Sequence, residues 1–161
     1  VAFLTWLTYN NVARIILALG YKADMVIDYL KTHGILAGIF ISIEEKPLGT
    51  AGALYNALPY IQTETVLVVN GDTFPQIDLK KFLAFHNECG ERKFISVATN
   101  KDGVSAGVYL FEKKAIQSMS GQESLENDVF PWADVAYMSG VEFVDIGTPE
   151  SYFEARGQSL W

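Results

Sequence analysis

Cysteine occurs once in these 161 residues, at Cys89. A single thiol excludes an internal disulfide and suits a reducing, cytoplasmic compartment. Long hydrophobic runs are missing too: none approaches the roughly 18 residues that span a bilayer. No basic stretch precedes the first apolar residues, so neither a membrane span nor a signal peptide is expected. Positive charge is scarce, with 12 Lys and Arg against 19 Asp and Glu, a formal charge of −7. That balance argues against a nucleic-acid binder, which needs a basic surface. It leaves room for a small phosphorylated ligand held by a few placed cations or a metal. The chain has no G-x-x-x-x-G-K-[ST] and no G-x-G-x-x-G, which weakens P-loop and Rossmann dehydrogenase readings. Its two histidines, His33 and His86, lack partners at metal-ligand spacing and read as structural or exposed. Cys89 has no C-x-x-C and no nearby His, so it reads as a buried or incidental thiol.

What is present is a core-forming composition, 50% hydrophobic and 19% charged, which argues against disorder, in a chain long enough for one domain. Val1 to Tyr9 resembles the end of an amphipathic helix, and Ala13 to Leu19 reads as a buried strand ended by Gly20. Ala23 to Thr32 has helical spacing, with Gly34 as the stop. Gly38 to Ile43 is a strand, after which Thr50 is placed to cap a helix through Ala53, Leu54, Ala57 and Leu58 that Pro59 closes. Val66 to Val69 reads as a strand buried on both faces, as in a parallel sheet. Asp78 is placed to cap a helix from Leu79 to about Glu88, with Phe82, Leu83 and Phe85 inward. Phe94 to Ala98 and Val108 to Phe111 are strand-like, separated by a polar turn, and Glu112 to Met119 is helical. Ser124 to Asp128 begins a short helix that Pro131 interrupts. Glu142 to Gly147 is a strand, and Thr148 and Pro149 fit the N-cap and first position of a last helix. Strands alternating with helices indicate an α/β domain, mostly parallel in its first half, spanning residues 1–161 without repeat or linker.

Three strand-end loops hold the residues suited to chemistry: Glu44 to Gly52, Asn70 to Phe74 and Asp145 to Glu150. In open α/β sheets ligands bind beyond the carboxyl ends of strands. Gly49 and Gly52 flank Thr50 and Ala51 at a helix start, where small residues let a flat ring or a phosphate reach backbone N–H groups. An ordinary strand-to-helix connection would use the same glycines. Asp72 and Asp145, if they converge, match a nucleotide–Mg²⁺ site, because magnesium takes few protein carboxylates and completes its shell with phosphate and water. Each Asp alone is equally a cap or turn residue.

Four stretches stand in an order that resembles the sugar-1-phosphate nucleotidylyltransferases: Glu44-Glu45-Lys46-Pro47-Leu48-Gly49-Thr50-Ala51-Gly52-Ala53-Leu54, Val69 to Phe74, Ala106 to Phe111 and Phe143 to Glu150. Ser124 to Pro131 is most similar to the branch acting on D-glycero-D-manno-heptose 1-phosphate with GTP, the mannose-1-phosphate guanylyltransferases being second. The resemblance covers nearly the whole chain. It implies a Rossmann-like nucleotide-diphospho-sugar transferase fold, with a mixed, mostly parallel central sheet and helices on both faces. It also implies a Mg²⁺-dependent transfer from nucleoside triphosphate to sugar 1-phosphate. Glu44, Pro47, Leu48, Gly49, Thr50, Gly52, Asn70 and Gly71 would meet the nucleotide. Ala106, Gly107, Asp145 and Gly147 would meet the sugar phosphate, and Asp72 and Asp145 would be the catalytic metal ligands. A homo-oligomer is compatible with this reading, and no nucleic acid or membrane is involved.

The family opens with a strand and a glycine-rich signature, roughly G-G-x-G-T-R-L followed by Pro-Lys-Pro, and carries a Glu-Lys-Pro element before the Ala-Gly-Val-Tyr strand. The first is missing from these residues, and only Asn100 to Gly103 occupies the place of the second. Spacings near Leu7-Thr8 and Pro131-Trp132 are compressed. The expectation is an intact polypeptide heavier than these residues account for. The rival is a non-catalytic paralogue that senses sugar nucleotides or regulates a true enzyme.

Overall fold

The computed structural model describes residues 2–90, 93–120 and 123–156. Val1, where the expected first helix begins, lies outside them. In chain order the elements are α1 (Ala2–Tyr9), β1 (Ile15–Leu19), α2 (Ala23–Thr32), β2 (Ile39–Ile43), α3 (Gly49–Ala57), a 3-10 turn (Leu58–Tyr60), β3 (Thr65–Val69), β4 (Thr73–Gln76), α4 (Leu79–Glu88), β5 (Ile95–Thr99), β6 (Ser105–Glu112), α5 (Lys113–Gln117), a π-helical turn (Leu125–Val129), β7 (Val135–Met138), β8 (Glu142–Asp145) and α6 (Pro149–Arg156). Among the described residues no helix is long and apolar enough to cross a membrane. The chain forms two compact units, one of Val1–Asn10, Thr65–Glu112 and Asp134–Trp161, the other of Asn11–Glu64 and Lys113–Ala133.

The first unit is built on a four-stranded sheet of order β3-β6-β5-β7. β6 is antiparallel to β3 and to β5, while β5 and β7 run parallel. Among the described residues β3 pairs with β6 alone. The expectation that Val66 to Val69 lies buried on both faces of a parallel sheet is therefore corrected: every residue of β3 is only half-buried. The strands buried along their length are β5 and most of β6, which have a neighbour on either side. Phe82, Ala98, Ala106, Val108, Leu110 and Val141 form the core, with Leu67, Ile77, Phe85 and Phe143 packed against it. Leu83, expected inward beside Phe82, is 43% exposed. Removing the ring of the fully buried Phe82 would destabilise this unit by about 3–5 kcal/mol.

Local chemistry explains the boundaries. Asp78 caps α4 as expected, its Oδ1 accepting from Lys80 N at 3.0 Å and Lys81 N at 3.2 Å. The β5–β6 hairpin closes on Asn100, whose Oδ1 accepts from Asp102 N and Val104 N, both at 2.9 Å. Gly103 supplies the positive φ of +81° that this tight turn requires. Two strands escape the hydrophobic pattern. β4 begins at Thr73, inside what reads as a loop, and carries Pro75; β7 is only four residues long.

The second unit holds the parallel pair β1–β2, in register from Ile15↔Ile39 to Leu19↔Ile43, connected through α2. The Ala23–Thr32 helix has the expected bounds, and Gly34 follows it at φ +67°. Thr50 is not the cap of α3. Leu48 takes that position without a side-chain hydrogen bond, and Thr50 lies within the first turn. The mixed α/β fold class holds, but among the described residues the sheet is not mostly parallel as expected: β1–β2 and β5–β7 pair parallel, and β3–β6, β5–β6 and β4–β8 antiparallel.

Candidate functional site

Asp72 and Asp145 are brought together by a two-stranded antiparallel ribbon. β4 and β8 pair with Thr73 opposite Asp145, and one rung further Ile146 N donates to Asp72 O at 2.7 Å. The ribbon therefore ends with an Asp from each strand, both exposed. Gly147 lies between them. A methyl group on its Cα would stand 3.0 Å from Asp145 Oδ1 and 3.3 Å from Asp72 Oδ2. The two oxygens are thus separated by no more than the sum of those distances. Asp145 Oδ1 also accepts from Gly147 N at 2.7 Å, which fixes the side chain over the turn. Thr148 then caps α6 as expected, Ser151 N donating to its Oγ1 at 3.2 Å.

The neighbouring strand end completes this corner. Asn70 N donates to Gly107 O at 2.8 Å, which ties the residues before Asp72 to the start of β6. Gly107 has φ +65°, and a Cβ there would meet Thr73 Oγ1 at 3.0 Å and Asn70 Cβ at 3.1 Å. Glycine is required at 107 by backbone conformation and by packing. Gly71 differs: a Cβ on it would meet nothing within 4 Å, so protein packing does not account for that glycine. Ala106 is completely buried and presents no side chain to a ligand.

The Glu44 to Gly52 stretch belongs to the second unit. Glu44 follows β2, its N–H donating to Leu19 O at 2.9 Å. Its carboxylate packs on Gly20, where an added Cβ would lie 2.9 Å from Glu44 Cγ. Leu48 N donates to Glu44 Oε2 at 3.2 Å, so Glu44 closes the loop on itself. A shallow recess beside it is lined by Ala18, Leu19, Ser42, Glu44, Ala53 and Asn56. Asn56 is held there by donating to Ser42 Oγ at 2.9 Å and Ile43 O at 3.1 Å. Glu45, Lys46, Pro47 and Gly49 are exposed, whereas Gly52 is buried in α3.

Residues 2–103 match the sequence profile of the nucleotidyl transferase family. The chain belongs to that family. Among curated relatives, the D-glycero-alpha-D-manno-heptose 1-phosphate guanylyltransferase of Aneurinibacillus thermoaerophilus is 26% identical, over 94% of this chain and 80% of its own. The enzyme of the same description from Campylobacter jejuni is 28% identical over 92% of this chain and 80% of its own. Among solved structures, HddC from Yersinia pseudotuberculosis complexed with GMP-PN superposes with a TM-score of 0.79 at 29% identity, covering 94% of this chain and 81% of that one.

A divalent cation fits the donor set of this nucleotidyl transferase's first unit. The hard oxygen donors at the β4–β8 end are two carboxylates open to solvent. Among the described residues no group of three or more His, Cys, Asp or Glu is arranged to hold a metal. A site with two protein carboxylates leaves most of an octahedral shell to water and phosphate, as magnesium sites on phosphate substrates do.

The two histidines are placed as expected, one structural and one exposed. His86 is buried, its Nδ1 sharing a 2.8 Å hydrogen bond with Ser96 Oγ and its Nε2 a 3.1 Å bond with Glu112 Oε1. His33 is exposed at the end of α2 and bonds Tyr29 O. Gly147, which the resemblance assigns to the sugar phosphate, also stands as the spacer between the carboxylates. One participant escapes the sequence pattern: Glu123, whose backbone contacts with the Leu48 to Ala51 stretch have no local sequence signature.

Proposed function

We propose that this protein joins a sugar 1-phosphate to a nucleoside triphosphate, giving a nucleotide sugar and pyrophosphate. GTP and D-glycero-D-manno-heptose 1-phosphate are the substrates that its relatives' descriptions favour. The observation that carries the reading is the convergence of Asp72 and Asp145 beside Gly147 in a chain of the nucleotidyl transferase family.

The chemistry asks little of acid–base groups. A sugar phosphate oxygen attacks the α-phosphorus; the new O–P bond forms as the bond from that phosphorus to the α–β bridging oxygen breaks, and pyrophosphate leaves with the electron pair. A phosphate monoester has a second pKa of about 6, so the nucleophile is already largely ionised at neutral pH and no side-chain base is needed. Asp72 and Asp145 would hold the divalent cation, Mg²⁺ in our reading. Bound there, it supplies charge neutralisation on the phosphate oxygens. Asp145 is held for that task by its bond from Gly147 N, and Asp72 by the rung from Ile146 N to its carbonyl. Gly71, with open space around its Cα, lets a ligand approach backbone. Gly107 and Gly147 are assigned to the sugar-phosphate side, whereas the buried Ala106 offers it no side chain. Glu44, Pro47, Leu48, Gly49, Thr50, Gly52 and Asn70 are assigned to the nucleotide. Positioning and charge neutralisation then provide the rate enhancement.

Pyrophosphate release measured across the four common nucleoside triphosphates and several sugar 1-phosphates tests the proposal. The expected result is a preference for GTP with a manno-configured heptose 1-phosphate. A clear preference for UTP or dTTP would overturn the guanylyl assignment and leave the reaction class standing. Binding of both substrates without release of pyrophosphate would overturn the catalytic reading itself.

A further inference from the structure

The Glu44 to Gly52 loop is not shaped by its own residues alone. A second segment of the same unit, from Glu123 through the π-helical turn Leu125–Val129, is bonded to it at three points. Glu123 N donates to Leu48 O at 3.0 Å, and Ala51 N donates to Glu123 O at 3.0 Å. Leu125 N donates to Thr50 Oγ1 at 2.8 Å. The fit is close: a Cβ on Gly49, which has φ +74°, would stand 2.9 Å from the Glu123 carbonyl carbon. Glycine at 49 is accounted for by this clamp without a ligand. The N–H of Ala51, one of those a helix start would offer to a ligand, is already used by it.

The segment is itself braced. Ser124 N donates to Asp128 Oδ2 at 2.7 Å, and Asn127 N to Ser124 Oγ at 3.2 Å. The Glu123 carboxylate accepts from Ser120 N at 3.1 Å. Leu125, 2% exposed, anchors the turn in the unit. A π-helical turn is a rare form that recurs at functional sites.

We infer that the Glu123–Val129 segment is the positioning element of the nucleotide loop: Asp128 and Ser124 hold the turn, and the turn sets the shape of Leu48 to Ala51. The inference rests on the assignment of that loop to the nucleotide. It predicts that residues remote from the loop in sequence govern nucleotide affinity through Thr50.

The experiment is calorimetric titration of the full chain with GTP and, separately, mannose 1-phosphate, each with Mg²⁺, alongside KM and kcat. Asp128→Ala should raise the Kd and KM for GTP about fivefold, what a lost capping hydrogen bond amounts to, with Kd for the sugar phosphate unchanged. Thr50→Val should act likewise, Thr50→Ser should retain affinity through its Oγ, and the effects of Asp128→Ala and Thr50→Val should be less than additive because they break one chain of contacts. If wild type binds GTP and Asp128→Ala binds it equally, the positioning role is refuted while the nucleotide loop survives. If both ligands weaken together with a fall in melting temperature, the segment is a general stabiliser and the inference fails. If wild type fails to bind GTP, the reading of the loop falls and takes the inference with it.

Discussion

Asp72 and Asp145 converge on the place where a Cβ on Gly147 would stand, the one by Oδ2 at 3.3 Å from it and the other by Oδ1 at 3.0 Å. They lie 73 positions apart in the chain by their numbering, and the β4–β8 ribbon brings them together. Neither is claimed by an ion pair with a Lys or Arg among the described residues.

Asp72→Asn and Asp145→Asn keep the side-chain size and remove one negative charge from this pair. Each should leave the fold intact and sugar-phosphate binding in place while turnover drops a hundredfold or more, about 3 kcal/mol in the barrier. Steady-state pyrophosphate release with circular dichroism on the same samples checks it. Wild-type rates in either variant would remove the pair from catalysis.

Gly147→Ala tests the space between the carboxylates. Gly147 has no positive φ, so alanine brings no backbone strain. Its methyl group would press on both carboxylates. Affinity for the divalent cation should fall severalfold, read by titration with Mn²⁺ as a spectroscopic substitute, with the melting temperature close to wild type.

Gly107→Ala and Gly71→Ala should separate structural from functional glycine. At 107 the left-handed backbone and the contacts with Thr73 and Asn70 should make alanine destabilising by about 1–2 kcal/mol, read by urea denaturation. At 71 stability should be unchanged, because an added Cβ meets nothing, and any loss should appear in KM or kcat.

His86→Ala should be among the more destabilising substitutions in the first unit. It opens a cavity at a site 3% exposed and strips partners from Ser96 and Glu112. A loss of about 2–4 kcal/mol is expected, with KM values unchanged in the folded fraction. A neutral effect on the denaturation midpoint would show that the network contributes nothing net.

The residues by themselves determined what depends on near neighbours. The helix starts at Asp78 and Thr148 and the Asn100 turn follow from side chains bonding to backbone two to four residues away, and local sequence carries that chemistry. The order of four motifs likewise marked Asp72 and Asp145 before any geometry was known. What tertiary structure decided is pairing. An apolar run such as Val66 to Val69 gives the same local pattern at a sheet edge as at its centre, so its antiparallel, half-buried place depended on which strands became its neighbours. β4 and β7 are short, and each is held by a distant partner strand. Thr50 has the local pattern of a cap, but Leu125, 75 positions away, took its hydroxyl. The clamp of Glu123 on Gly49 is made largely by backbone atoms, which every residue carries, and so no side-chain pattern could have announced it.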